Sequence, residues 1–420
     1  MKTRILIKTS QISSALLFFA LFMVLYGPRL KVIDLMSAAT TITSIIVFLK
    51  FFSKGKIFYG NLSFTIIYCF LIFSYALVHY SFSTNDTTGI TLALKLIIYA
   101  ASAQFIISSY QKRYGGKWLF YLLNHIVICT VINGLFVIIF FLFPTSASLA
   151  ASILDYTNQN DWIITQHRIF DLSMGGGSSG SYVFSIVFII GLFKLKHENN
   201  KLNYIYLFII LLSTALMGRA GFYFELLYIL LFLFTRKISI GLFLFYISLP
   251  LILITLSLNI EQILQVIKTT AISNPFFAWS FEALISYIEF QEFTTGSQNA
   301  LNSMWHIPSN QFHLFFGDGN FGRTEHLAYV ASDIGYVRLL YALGIFGTIL
   351  IIAPIILLIV KIINQHNKDV INFKWIAIVT LASLFIFNLK ELHIASRGSG
   401  VLIFLIIYVA ISLNKEKINA

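Results

Sequence analysis

Apolar stretches alternate with short polar breaks along almost all of the 420 residues. Lipid cannot hydrogen-bond a backbone, so a spanning segment must be helical and takes about 20 predominantly apolar residues. Stretches near 10–27, 32–52, 62–82, 89–109, 118–143, 180–193, 202–217, 221–235, 238–258, 334–360, 373–389 and 398–413 meet or approach that length. They predict an all-α polytopic membrane protein with about twelve transmembrane helices. Two of them, 180–193 and 221–235, are short for a straight crossing and fit tilted helices, half-helices or helices extended by polar flanks. The polar breaks divide the chain into helices 1–9 within 1–258, with a loop at 144–179, a large loop at 259–333, and helices 10–12 within 334–420.

Composition excludes a water-soluble alternative. With 58% hydrophobic and only 11% charged residues, too little polar surface exists to cover a globule. Charge placement then orients the helices. With the N-terminus cytoplasmic, the short inner loops receive Lys2, Arg4 and Lys8, then Lys50, Lys54 and Lys56, then Lys112, Arg113 and Lys117, then Lys194, Lys196 and Lys201. Arg236, Lys237, Lys361, Lys368, Lys374, Lys415 and Lys417 continue the series, so most of the 29 basic residues lie inside, against only Glu198, Asp369 and Glu416 of the 17 acidic ones. Both termini are thus cytoplasmic, and loops 144–179 and 259–333 face the other side. The +12 net charge is mostly topological; basic residues scattered through short loops do not make a nucleic-acid surface. The basic, apolar start lacks a small-residue cleavage site before Pro28, so an uncleaved first span is expected. Cys69 and Cys129 fall inside predicted spans, where a thiol acts as a small hydrophobe.

Chemistry concentrates on the outer side. Loop 144–179 offers Asp155, Asn158, Asn160, Asp161, Trp162, His167, Arg168 and Asp171, followed by a run from Gly175 to Gly180. Carboxylates and amides beside an aromatic ring suit a sugar, although turns use the same polar residues. In the larger loop, 275–293 begins with Asn274 and Pro275 as a helix start and carries Glu282, Ser286 and Glu289 at helical spacing against a wide apolar face. That pattern predicts a helix lying along the membrane surface, acting as a lid or, less simply, offering its glutamates to chemistry. Beyond it come Trp305, His306, His313, Asp318, Arg323, Glu325, His326 and Asp333, the densest run of ionisable groups in the chain. No histidine pair has the i, i+4 spacing of a helical zinc site and no Asp-x-Asp pair exists, so neither a metal nor another cofactor is implied.

Inside or at the ends of spans sit Lys95, Arg219, Glu225, Arg338, Lys390, Glu391, His393 and Arg397. A cation at a helix centre costs about 2.5 to 3.5 kcal/mol on insertion scales, which makes each of these a functional candidate. Pairing offers the alternative: Arg219 could meet Glu225, and Arg397 could meet Glu391. Yet Arg219, Lys390 and Arg397 belong to the outer side, against the positive-inside bias. Together they predict an anion, and arginine is the side chain best matched to phosphate. A polyprenyl diphosphate fits, with its charge at the headgroup and its tail in the bilayer.

The stretches Gly317-Asp318-Gly319, Asp333-Ile334-Gly335-Tyr336-Val337-Arg338 and Gly344-Ile345-Phe346-Gly347 resemble the end of the large periplasmic loop in O-antigen polymerases of the Wzy type. Gly218-Arg219-Ala220-Gly221 is similar to the arginine motif that heads a span upstream of that loop. Related O-antigen ligases share the layout, but their His-Asn pair, eleven residues before the first glycine of the Gly-x-x-Gly turn, is replaced here by Asp333, with His326 seven residues earlier. Arg168 with Gly180 and Arg323 with Gly335 are similar to the Arg-x10-Gly motifs of some polymerases, with one residue more between them.

The resemblance implies a bacterial inner-membrane, metal-independent glycosyltransferase of GT-C-like architecture whose active site faces the periplasm. It would transfer a growing glycan from undecaprenyl diphosphate to the non-reducing end of a new lipid-linked repeat unit, working beside a flippase and a chain-length regulator. Such chemistry needs cations for the departing diphosphate, a base for the attacking hydroxyl and a groove for sugars. Arg219, Arg338 and Arg397, with Lys390, answer the first need, and Asp333 or His326 the second. Trp162, Arg168, Trp305, Asp318 and Arg323 answer the third. A ligase acting on lipid A core, a flippase or transporter, and a structural scaffold are the other readings; no internal repeat of the transporter kind is found.

Overall fold

The structure is a computed structural model that describes residues 2–54, 60–82, 87–143, 150, 152–155, 169–173, 177–197, 200–235, 282, 285–286, 296–319, 321, 332–364, 371–394 and 396–415. These residues are almost entirely helical, and no strand occurs among them. The helices are α1 (Lys2–Tyr26), α2 (Leu35–Lys54), α3 (Gly60–Phe82), α4 (Thr88–Tyr114), α5 (Trp118–Leu142), α6 (Gly177–His197), α7 (Lys201–Met217) and α8 (Arg219–Thr235), then α9 (Gly296–Ser303), α10 (Gln311–Phe316), α11 (Gly335–Ile363), α12 (Ile371–Phe387) and α13 (Ser399–Lys415). Every predicted span is occupied by a helix except 238–258, which lies outside the described residues. The short span at 180–193 is lengthened at both ends by polar residues, as one of its readings allowed. Of the surface helix expected at 275–293, Glu282, Ile285 and Ser286 are helical and the rest lies outside the described residues.

Among the described residues, three stretches are long and apolar enough to cross a membrane: Thr88–Leu142, Ser178–Leu195 and Gly335–Leu357. The first holds α4 and α5, joined through a 3-10 turn at Gly115–Lys117 and packed on each other. Shorter apolar helices fill the rest of the bundle. Phe208, Phe70, Leu357 and Ile349 are among many large apolar side chains turned outward. In water so much exposed apolar surface would be a liability, whereas a bilayer solvates it.

Two helices organise the interior. α4 touches α1, α2, α3, α5 and α13, and its small residues Ala93, Ala100, Ala101, Ser102 and Ala103 are buried, which lets neighbouring backbones approach. α6 touches α5, α7, α8, α12 and α13. Its Ser181 lies so close to Gly221 of α8 that a Cβ there would stand 2.6 Å from the serine side chain.

α11 is broken at Gly344, whose φ of 64° is left-handed. The break frees carbonyls that a neighbouring loop takes up. The N–H of Asp318 donates to Tyr341 O at 2.8 Å, that of Gly319 to Ala342 O at 3.0 Å, and the Tyr75 hydroxyl to Phe316 O and Leu343 O at 2.9 and 3.0 Å. A Cβ on Gly317 (φ 83°) would meet the Ala342 backbone at 2.6 Å. Gly317 and Gly344, one from each of the Gly-Asp-Gly and Gly-x-x-Gly motifs, therefore interlock two backbones, which no residue with a side chain could do there.

Candidate functional site

The connections between helices gather at two ends of the bundle. One, the loop end, holds residues 27–34, 218, 332–335 and 388–398 with the described parts of both long loops; the other, the terminal end, holds the far ends of α1 and α13.

At the loop end the segments are tied to one another. Asp34 caps α2, accepting from the Ser37 N–H at 3.1 Å and the Ser37 hydroxyl at 2.8 Å. The same carboxylate takes both arms of the Arg397 guanidinium, one at 2.9 Å, and Arg397 also donates to Gly27 O at 3.4 Å. Burial works against the charge of Asp34, but the Ser37 and Arg397 contacts outweigh it and hold the carboxyl below its usual range. Arg29 pairs with Asp155 at 3.0 Å, and Leu30 bridges to Leu154, so the first long loop is anchored on the turn after α1. Further along, the buried Asp171 accepts from Asn133 of α5 at 2.9 Å and from Ser173 at 2.7 Å, which seats the loop's far end in the bundle.

Arg219 opens α8 and bonds Glu282 at 2.9 Å; Glu282 also accepts the Gly296 N–H at 2.7 Å. Arg338, in the first turn of α11, bonds Asp333 at 2.9 Å and the Ser332 carbonyl at 2.6 Å. The pairs that the sequence offered as an alternative are not formed: Glu225 accepts from Thr214 at 2.7 Å, and Glu391 accepts from Ser178. Helical spacing brought Arg219 near Glu225 only in sequence. In the fold Glu225 faces α7, while Arg219, at the helix mouth, reaches the loop.

These groups meet around the start of α6. Gly221 rests on Ser181, Ser178 bonds Glu391, and a Cβ on Gly335 would stand 2.9 Å from Asn388 O and 3.0 Å from Glu391 O. Gly398 has a φ of 70°, and a Cβ there would lie 3.1 Å from Leu25 O and 3.4 Å from Val183. The heads of α6, α8, α11 and α13 thus converge with Arg219, Arg338 and Arg397. His393 is sealed in the same turn. Its ring packs against Tyr182 and Phe387, its backbone N–H donates to Asn388 Oδ1 at 2.8 Å, and burial, assisted by the Lys390 charge, lowers the imidazole pKa to about 3.

Of the residues singled out from sequence, Arg219, Arg338, Arg397, Lys390 and Asp333 stand at this end. Asp333 is 65% exposed, while its partner Arg338 is 9% exposed. Trp305 is exposed beside α9, and Asp318 lies in the interlocked loop, its charge acting on His79 and Tyr341. Trp162, Arg168, Arg323 and His326 lie outside the described residues. Sequence reasoning passed over Asp34 and Ser178. Asp34 carried a signal: an acidic residue three before Ser37, at the mouth of a span, has the spacing of a helix cap. Ser178 carried none beyond its place in a polar run.

No protein-family model matches this chain, and no curated protein matches it. What it does is read from its residues.

Proposed function

We propose that this chain is a membrane glycosyltransferase with about twelve spans and a GT-C-like plan, which polymerises lipid-linked oligosaccharide repeat units of O-antigen or a similar surface polysaccharide at the periplasmic face of the bacterial inner membrane. One observation carries the reading: Arg219, Arg338 and Arg397 all lie at helix N-termini that share one end of the bundle. Helix dipoles place partial positive charge there, so a cation is disfavoured and an anion is attracted. Each guanidinium is held there by a carboxylate, which fixes its position at an anion-attracting end, and the Nε of Arg397 is a buried donor without a partner among the described residues.

In this reading the hydroxyl oxygen of the acceptor repeat unit attacks the anomeric carbon of the donor glycan, the bond from that carbon to the diphosphate oxygen breaks, and undecaprenyl diphosphate leaves. The three arginines, with Lys390, stabilise the charge that builds on the leaving oxygen. Asp333, exposed and oriented by Arg338, takes the hydroxyl proton, with His326 as the other candidate base. Trp305, Trp162, Arg168, Asp318 and Arg323 are the residues this reading assigns to sugar binding, with the Glu282 segment as the lid. The bidentate Asp34 contact fixes the Arg397 guanidinium at this end, leaving its Nε as the donor without a partner among the described residues.

The test is genetic. Deletion in the bacterial host should leave lipopolysaccharide capped by a single repeat unit, because a ligase still transfers the short donor. Bare core, with long polymer stranded on the carrier lipid, would overturn the assignment.

A further inference from the structure

We propose that α10 and the turn after it form a re-entrant foot of loop 259–333, which enters the bilayer beside α11 and seats Phe312, Phe315 and Phe316 among the acyl chains of the leaflet at the loop end. Two helices measure its depth. The N–H groups of Asp318 and Gly319 donate to the carbonyls of Tyr341 and Ala342. Those carbonyls are six and seven residues past Gly335, the start of α11, which is about 9 to 10 Å along the helix at about 1.5 Å per residue. From the other side, the Tyr75 hydroxyl bonds Phe316 O and Leu343 O, and Tyr75 is seven residues short of Phe82, the end of α3, again about 10 Å. The Phe346 ring lies 5.2 Å from that of Phe316 and 6.2 Å from that of Phe315. Phe346 is eleven residues past Gly335, about 16 Å. Even with the first turn of α11 standing in the headgroup layer, these rings lie about 10 Å inside a hydrocarbon core about 30 Å thick.

The chain then comes back out. Gly317 and Gly319 turn it with φ of 83° and 77°. Phe321 is buried again, and its ring would stand 3.1 Å from a Cβ on Gly89 in the first turn of α4, at the mouth of the bundle. Irregular backbone is tolerated at membrane depth where the protein itself satisfies its polar groups. The Phe312 N–H donates to Asn310 Oδ1 at 2.8 Å, that of Leu314 to Asn310 O at 2.9 Å and that of Gly317 to His313 O at 2.7 Å. With Asp318 and Gly319, five amides of this short segment are thus bonded without recourse to water. Asp318 is the one acid in 310–319, and its charge acts on His79 of α3 and Tyr341 of α11, which keeps it on the protein side of the turn.

The outward side chains select the occupant. Phe312 is 65% exposed, and Phe315 and Phe316 are exposed beside it. They continue a lipid face that α11 already has: Phe346, Ile349, Ile356 and Val360 are all exposed and recur at the spacing of one side of a helix. That helix contains a stretch long and apolar enough to cross a membrane, and the rings of Phe315 and Phe316 rest on the member of its face nearest the loop end. A water-soluble partner does not reach this level, and adjacent phenylalanines left in water would be a liability. Acyl chains are the occupant that fits. The proposal does not rest on the polymerase reading.

Nitroxide labels in the full-length protein test it. In a background lacking Cys69 and Cys129, Phe312→Cys, Phe315→Cys, Ile349→Cys and Ser303→Cys are labelled singly and reconstituted into vesicles of phosphatidylethanolamine and phosphatidylglycerol. Labels at 312 and 315 should collide more with oxygen than with a water-soluble nickel chelate, as the label at 349 does, whereas the label at 303 should show the reverse. Nickel access at 312 equal to that at 303 would put α10 in water and overturn the foot. Shielding of 312 from both reagents would mean that protein covers it, a second copy included, and would overturn it equally. Should the cysteine variants fail to fold, the parent protein decides: phosphatidylcholine carrying a diazirine in its acyl chain should leave adducts on residues 311–316 as well as on α11, and adducts on α11 that spare 311–316 refute the proposal.

Discussion

Among the described residues, the two ends of the bundle show their cations beside different kinds of partner. At the loop end Arg29, Arg219, Arg338 and Arg397 are each bonded to a carboxylate, and in three of the four pairs that carboxylate is far away in sequence. At the terminal end Arg113 donates to the Ser14 hydroxyl, Lys194 to Asn124, Lys374 to the Ile363 carbonyl, and Lys50 lies over the Phe105 ring at 5.6 Å. Charge that only orients a chain in the membrane has to be present on the right side, and neutral partners or water serve it. Charge that must meet a ligand has to be held at a fixed position, which a distant counter-charge provides and a flexible lysine in solvent does not.

The comparison breaks at its root if the two ends do not face opposite compartments. In a background lacking Cys69 and Cys129, cysteine at Ser303 should react fully with an impermeant maleimide in intact spheroplasts, and so should cysteine at Ser148. Cysteine at Ser53, exposed at the terminal end, should react only after lysis. The reverse pattern, or equal labelling, would invert or abolish the orientation.

The next largest effect is on chemistry. Arg397→Ala should lower polymerisation of purified lipid-linked repeat by about 100- to 1000-fold, the scale of losing one oxyanion-hole donor, while Arg113→Ala should stay within about twofold. Lysine at 397 should restore only part of the rate, since it lacks the fork. Asp34→Asn separates the two roles of this residue pair. If Asp34→Asn retains chain extension, Arg397 acts on the ligand; if both variants lose it equally, the pair is a latch between residues 27–34 and α13. EDTA in the assay should change nothing, because no metal is invoked.

Stability gives the third contrast, between glycines that share a left-handed φ. Gly115 at the terminal end (φ 53°) has nothing within 4 Å of where a Cβ would sit, whereas at Gly344 and Gly317 a Cβ would strike backbone. Gly115→Ala should therefore cost only the backbone strain, about 1 kcal/mol. Gly344→Ala and Gly317→Ala should cost more than about 3 kcal/mol, because backbone atoms must also part. Thermal unfolding in detergent measures both, and equal losses would refute the interlock.

Much of this was legible in the chain. Hydropathy placed the helices because lipid leaves few alternatives, and α6 ran longer than its apolar core because Ser178 is buried and bonded to Glu391 rather than facing lipid. That Arg219 and Arg397 are unusual residues followed from their standing where the charge bias disfavours them. Pairing was not legible. Arg397 and Asp34 are separated by nearly the whole chain, and nearer acids, Glu225 and Glu391, were the partners that spacing alone favoured. Nor did the motif glycines reveal their work. Gly317 and Gly344 read as parts of a family pattern, and only the break in α11 gives them a physical role.

The smallest effect concerns acid, and it separates two groups of the loop end. The His393 pKa is lowered from its ordinary value of 6.5 to about 3, chiefly by burial. Below pH 6.5 the unfolded chain takes up a proton that the folded protein refuses. The stability present above 6.5 therefore declines as pH falls, by up to about 1.4 kcal/mol per pH unit for one proton, until the folded imidazole also titrates near 3. Asp34 has the same sign in a lower window: its carboxyl is held below the ordinary 3.8, and its contribution survives until pH falls through that lowered value. Melting temperature against pH should accordingly show an acid limb beginning near 6.5 that His393→Phe flattens, while Asp34→Asn lowers the curve above about 3.8 and changes its slope only below that value. An acid limb that His393→Phe leaves unchanged would mean that the imidazole is open to solvent, and the sealed turn at the head of α13 would have to be redrawn.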